Sequence, residues 1–140
     1  MGARDAMASI CGIHHVKVPV SDVAASRDWY AEVFDFMPTL DFEDEATLLG
    51  VVLEHRSGVA LLLYLDPERS HALAGFDPVG LAVSSTAELQ AWVTDLDQRG
   101  VAHTPIRDAH LGQSIEVRDP DGLIIQLNTR EQPSAGDTNR

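Results

Sequence analysis

Cysteine is nearly missing from this 140-residue chain. Cys11 is the only one, which excludes an internal disulfide and any cysteine-based zinc cluster. With no basic setting around it to favour a thiolate, Cys11 reads as a small, partly buried apolar residue. No apolar run approaches the roughly 20 residues that cross a bilayer. The N-terminus has no long apolar stretch after a basic start, so no signal peptide is read and a cytoplasmic protein is expected. Basic residues are few, 10 against 22 acidic ones, for a net charge of −12. That balance argues against nucleic acid or anionic membrane as partners and is compatible with a cationic ligand. Phosphate loops, dinucleotide fingerprints, serine-nucleophile elbows and paired carboxylates are missing too.

What the chain does have is a repeat. Trp29 falls on Trp92 at an offset of 63, and on the same frame Val18 meets Leu81, Val20 meets Val83 and Val33 meets Leu96. The run Leu61-Leu62-Leu63 then falls on Ile124-Ile125-Gln126. Two copies of one supersecondary unit, each too small to bury its own face, are expected to pair around a shared core or cleft. With 44% hydrophobic residues, the chain suits a single domain over residues 11–130, made of units at about 12–67 and 76–129, with flexible ends at 1–10 and 131–140.

Each unit reads as strand, helix and three strands. In the first, Val16, Val18 and Val20 alternate through a strand from Gly12 to Val20. Ser21 or Asp22 caps a helix with Val23, Tyr30, Val33 and Phe34 on one side. Strands follow near Thr39 to Phe42, Ala46 to His55 and Val59 to Leu65, and Asp66-Pro67 ends the unit. The second opens with Pro78 to Val83. Ser85 and Glu88 then form a capping box for a helix striped by Leu89, Trp92, Val93 and Leu96, and Gly100 stops it. Strands near Ala102 to Arg107, Ser114 to Arg118 and Leu123 to Asn128 complete it, with Asp119-Pro120-Asp121-Gly122 as a hairpin turn. The acidic run Glu43-Asp44-Glu45 reads as an exposed turn.

Three segments resemble the vicinal oxygen chelate superfamily, which includes glyoxalase I, bleomycin-resistance proteins, extradiol dioxygenases and fosfomycin-resistance enzymes. They are Gly12 to Asp22, the helix ending Asp28-Trp29-Tyr30-Ala31-Glu32-Val33-Phe34, and Arg118 to Leu127. The resemblance implies an α+β fold in which two βαβββ repeats form curved mixed sheets around a cleft, and it implies a homodimer. Metal-using members place ligands on the first and last strand of each unit, which here means His15, Leu63, Pro78 and Gln126. Only His15 is an ordinary ligand among them. Gln126 offers a neutral amide where the family commonly has Glu, and Leu63 and Pro78 offer no side-chain donor. No cofactor and no divalent metal are expected.

The candidate residues carry bland readings alongside functional ones. His14 and His15, as neighbours on a strand, point to opposite faces and cannot share an ion without a bulge. His15 serves either as a packed histidine or as the acid/base candidate of the cleft. Gln126 either bonds a neighbour such as His15 or orients a ligand in an apolar cleft. Glu116 is a weaker general-base candidate, sharing a face with Ser114. Trp29, Trp92 and Tyr64 read as structural. The expectation is a metal-free protein that sequesters a small organic ligand, aromatic or cationic, between walls of Leu61, Leu63 and Ile124, with His15, Gln126 and Asn128 orienting it. The alternative is an enzyme of the glyoxalase, isomerase or dioxygenase type, using His15 as acid/base or as its sole recognisable metal ligand.

Overall fold

The structure is a computed structural model describing residues 7–130. Of the ends expected to be flexible, 1–6 and 131–140 lie outside the described residues, and 7–10 are exposed coil. The first unit contains β1 (Val16–Val20), α1 (Val23–Phe34), β2 (Met37–Asp44), β3 (Thr47–Glu54) and β4 (Ala60–Leu65). A short helix, α2 (Pro67–Ala72), leads to the second unit: β5 (Val79–Val83), α3 (Thr86–Gln98), β6 (Arg107–Ala109), β7 (Gly112–Arg118) and β8 (Ile124–Thr129). The sheets run β1-β4-β3-β2 and β5-β8-β7-β6. In each, the first and last strands of the unit are parallel neighbours and the other pairs are antiparallel. This is the α+β architecture of two βαβββ units.

Local chemistry sets the helix ends. Asp22 accepts the Ala25 N–H at 3.0 Å to start α1, and the Ser85 hydroxyl accepts the Glu88 N–H at 3.1 Å to start α3. These side chains satisfy donors that a first helical turn leaves unpaired. Beyond α3, Gly100 takes a left-handed φ of +71°, which costs glycine nothing. Asp66-Pro67 does not simply end the first unit. Asp66 accepts the Arg69 N–H at 3.1 Å and Pro67 occupies the first turn, so the pair starts α2.

The differences from the sequence reading that matter most are at β1, β2 and residues 102–106. β1 begins at Val16, leaving 12–15 outside the sheet. β2 extends to Asp44, so the acidic run turns only at Glu45 and Ala46, both with positive φ. Residues 102–106 are not strand. There the Thr104 hydroxyl accepts the Glu116 N–H at 2.9 Å, and Pro105 has no N–H to give a ladder.

The core lies between each sheet and its helix. Val18, Leu63 and Val51 stand in register on one face, as do Leu61 and Leu53, and they pack with Tyr30, Val33 and Phe34 of α1. In the second unit Ile115, Val117, Ile125 and Leu127 meet Leu89 and Leu96 of α3. Register also exposes a slip in the repeat. Val16 and Val79 correspond at 63, yet their partners Leu61 and Ile125 differ by 64. One extra residue enters the second unit between helix and last strand.

The units dock through α1, α3 and the β7–β8 turn. The Tyr30 hydroxyl donates to Asp119 across 89 positions at 2.8 Å. Asp119 also accepts the N–H groups of Asp121 and Leu123, both at 2.9 Å. Asp121 accepts the Ser21 N–H at 3.0 Å and its hydroxyl. Arg99 donates to the last carbonyls of α1, and Phe34 meets Trp92 with ring centroids 5.7 Å apart. Burial pushes the Asp119 carboxyl above its ordinary value although the three donors pull it down. Burial, reinforced by Asp119, holds the Tyr30 phenol well above its own. Tyr30→Phe takes one donor from a buried acceptor and is expected to cost about 1–3 kcal/mol in urea unfolding. A loss below about 0.5 kcal/mol would show that the pair holds nothing together.

His103 supplies a pH test. Its two ring nitrogens contact pure acceptors, the Thr104 carbonyl at 2.6 Å and an Asp97 carboxylate oxygen at 2.7 Å, an arrangement that favours the form with a proton on both nitrogens. The carbonyl and the carboxylate accordingly raise its pKa above 6.5. A group raised on folding adds stability below its unfolded pKa and loses it as pH rises through the folded one. The stability gap between the native chain and His103→Gln is expected to be larger at pH 6 than at pH 9. A gap independent of pH would contradict this pairing.

Candidate functional site

Each sheet has one face against its helix and one face turned away, and register assigns every strand side chain to one or the other. On the first sheet the outward rows are Lys17–Leu62–Val52–Leu40 and Tyr64–Gly50–Phe42. Leu40 and Phe42 are 55% and 43% exposed, and Leu62, Val52 and Tyr64 are half-buried without joining the core. This face is therefore an apolar, aromatic wall. Lys17, the sole lysine of the chain, rests its ammonium 4.7 Å from the centre of the Tyr64 ring, within cation–π range.

On the second sheet the outward rows are Gly80–Gln126–Glu116 and Ala82–Asn128–Ser114–Arg107. The Gln126 amide donates to Asp77 at 2.8 Å, and its oxygen accepts from Asn128 at 3.3 Å. A Cβ at Gly80 would stand 2.8 Å from the Asn128 amide nitrogen, so the bare glycine makes room for that side chain. The two outward faces are complementary. One is greasy with a single cation, and the other is polar and rich in acceptors.

Several expected site residues move. Leu61 and Leu63 are 1% and 0% exposed and belong to the helix-facing core. They cannot wall a cleft on the other face. The one-residue slip is the cause, because Gln126 corresponds to Leu62 at an offset of 64, not to Leu63. By the same alternation Tyr64, read as structural, stands on the outward face. Ile124 is buried and shares the outward parity of Gln126. Glu116 and Ser114 do share the face of Gln126 and Asn128. Trp29 packs edge-on against Tyr30 and Phe34.

His15 is exposed and precedes β1, so strand alternation does not separate it from His14. The two rings meet edge-on, with Nδ1 atoms 2.9 Å apart. Gln126 bonds Asp77 and Asn128 in place of the expected His15. The four positions that metal-using relatives would fill become His15, Leu62, Pro78 and Gln126. They supply one imidazole and one amide oxygen already accepting a hydrogen bond. That donor set does not fit a catalytic transition metal, which takes about three protein ligands. Among the described residues no group of three or more His, Cys, Asp or Glu is placed to hold an ion.

The sequence matches, over residues 12–127, the family model described as the Glyoxalase/Bleomycin resistance protein/Dioxygenase superfamily. No curated protein matches it. Among solved structures it is similar to TnmS3, an antibiotic binding protein from Streptomyces sp. CB03234, at 23% identity and a TM-score of 0.71, covering 89% of this chain and 99% of that one. It is similar to a lactoylglutathione lyase from Agrobacterium tumefaciens at 18% identity and 0.69, covering 84% and 92%. The fosfomycin resistance protein FosX from Listeria monocytogenes is alike at 15% and 0.67, covering 91% and 98%. At these identities the likeness shows the shared fold.

Gln126→Glu tests the polar row. The new carboxylate would face Asp77 without a donor between them, and like charges hold one proton more tightly. A folded pKa raised in this way makes stability fall as pH rises. The variant is expected to lose about 1 kcal/mol at pH 8 and to recover most of it at pH 4. Equal melting temperatures for variant and native chain at pH 8 would contradict the contact.

Proposed function

The chain belongs to the glyoxalase/bleomycin resistance protein/dioxygenase superfamily, and from that membership we propose that it binds a small organic ligand against its outward sheet faces without a metal ion. The observation that carries this reading is the contrast between the two outward faces: an apolar, aromatic wall of Leu62, Tyr64 and Phe42, and a polar row of Gln126, Asn128 and Glu116. Small-molecule sites combine an apolar lining with a few placed polar groups. The ligand has a flat or greasy body for the first face and an N–H or cationic group for the acceptors of the second. Sequestration needs neither a Lewis acid nor a base, which suits a donor set of one imidazole and one committed amide. The solved neighbours include an antibiotic-binding protein. Catalysis through His15 has less support, because that ring lies outside the sheet beside His14.

A homodimer is part of the proposal. Met37, Leu40 and Phe42 are 67%, 55% and 43% exposed on the first unit, and a second copy bringing its polar face opposite would cover them and enclose the ligand. Leu40→Glu is expected to shift the molecular mass measured by light scattering from twice to once the chain mass.

The deciding experiment is calorimetric titration of tag-free protein with planar and cationic organic molecules, alongside elemental analysis for metal. Binding at one ligand per chain, unaffected by chelator and weakened about tenfold or more by Leu62→Glu or Asn128→Ala, is expected. A stoichiometric metal whose removal abolishes binding would overturn the reading. So would a ligand that His15→Ala still binds but no longer turns over.

A further inference from the structure

We infer, resting on the binding reading above, that Lys17 is the specificity-determining contact of the outward-face site. It takes an anionic oxygen, carboxylate or phenolate, carried on the aromatic body of the ligand. Lys17 is the sole lysine of the chain, and register sets it opposite Leu62 on the outward face of the first sheet. It is exposed, as are Leu40 and Phe42 on the same face. Its ammonium lies 4.7 Å from the centre of the Tyr64 ring. From Tyr64 the row crosses the sheet to Phe42, and Gly50 brings no side chain between them. A flat body lying along that row ends on the β1 side, beside the ammonium.

What sets this cation apart is that it has no anionic partner. Acidic residues outnumber basic ones 22 to 10, and Arg27, Arg56, Arg69 and Arg99 are each paired with an aspartate. Among the described residues Lys17 forms no ion pair, and its N–H groups have no acceptor. Register puts Glu43 and Glu54 on the same face, but on β2 and β3, with β4 between them and Lys17. Beside the Tyr64 hydroxyl, Arg69 and Asp66 pair with each other at 3.0 Å and bring no net charge. A ring face attracts an ammonium through its charge and uses none of its three donors. A ligand oxygen can therefore take those donors without breaking an ion pair. Hydrogen bonds to a charged acceptor are roughly twice as strong as neutral ones, so this contact selects carboxylate or phenolate over amide.

The test titrates the full chain calorimetrically with 6-amino-2-naphthoate and with its neutral counterpart, 6-amino-2-naphthamide. The two share the flat body and the amine, and differ only at the oxygen end. The naphthoate is expected to bind one per chain, about tenfold more tightly than the amide. Lys17→Gln should lower naphthoate affinity to the level of the amide and leave the amide unaltered, whereas Lys17→Arg should keep the difference. Lys17 is exposed, and an unchanged melting temperature checks that both variants fold. Because the chain has one lysine, reductive methylation with isotopically labelled formaldehyde also gives a single lysine resonance. That resonance should shift on adding the naphthoate and stay in place with the amide. Equal affinities in the native chain, or a difference that survives Lys17→Gln, would overturn the role of Lys17 and leave the binding reading intact. Failure of both probes to bind would remove the outward face as a site, and the role of Lys17 with it.

Discussion

The carboxylate of Asp119 is out of water at the junction of the two units, and the rest of the molecule is arranged by how it is satisfied. A buried carboxylate without partners would cost several kcal/mol or take up a proton. Here two backbone N–H groups of its own turn and the Tyr30 hydroxyl from the other unit point at it. The turn cannot reshape without losing the first two donors, and α1 cannot move without losing the third. Asp121, two residues on, holds Ser21 just ahead of the same helix. One four-residue turn therefore fixes where α1 lies against the second unit.

That mode of docking decides what is left free. Because the units meet through helices and a turn, neither sheet uses its outward face for the other. A valine or leucine on that face would need covering, and the first sheet has several there. The second sheet instead has Gln126, Asn128 and Glu116, with glycine at 80 so that Asn128 can lie across it. The asymmetry between twin units carries the functional reading, since a pair of identical greasy faces would suit only a structural interface.

Much of this was legible in the sequence, because the signals concerned were local. Alternating valines gave β1, the caps at Asp22 and Ser85 gave both helix starts, and Asp119-Pro120-Asp121-Gly122 gave the last hairpin. The offset of 63 between the tryptophans gave the repeat. It failed where a single residue mattered, because strand alternation has a period of two and one inserted residue exchanges core for outward face. Leu63, which the offset of 63 puts in the wall, faces the core, and Leu62 faces outward. Alternation does not separate His14 from His15, because both lie outside the sheet. The third bond of Asp119, to a tyrosine 89 positions away, has no local signature at all. A Tyr that falls on the core stripe of a helix while still needing a partner for its hydroxyl was the available hint.

The same period of two also explains how so small a domain can offer two unlike surfaces. Along β5 and β8, Gly80 and Gln126 turn outward while Leu81 and Leu127 turn toward the helices. Adjacent residues on one strand thus serve opposite sides of a single sheet layer. A change of side chain on one side leaves the backbone ladder intact, so the outward face and the helix-facing side can differ in chemistry. The hydrogen bonds that hold β5 to β8 are common to both, and they tie the polar row and the apolar core side to one rigid piece of sheet.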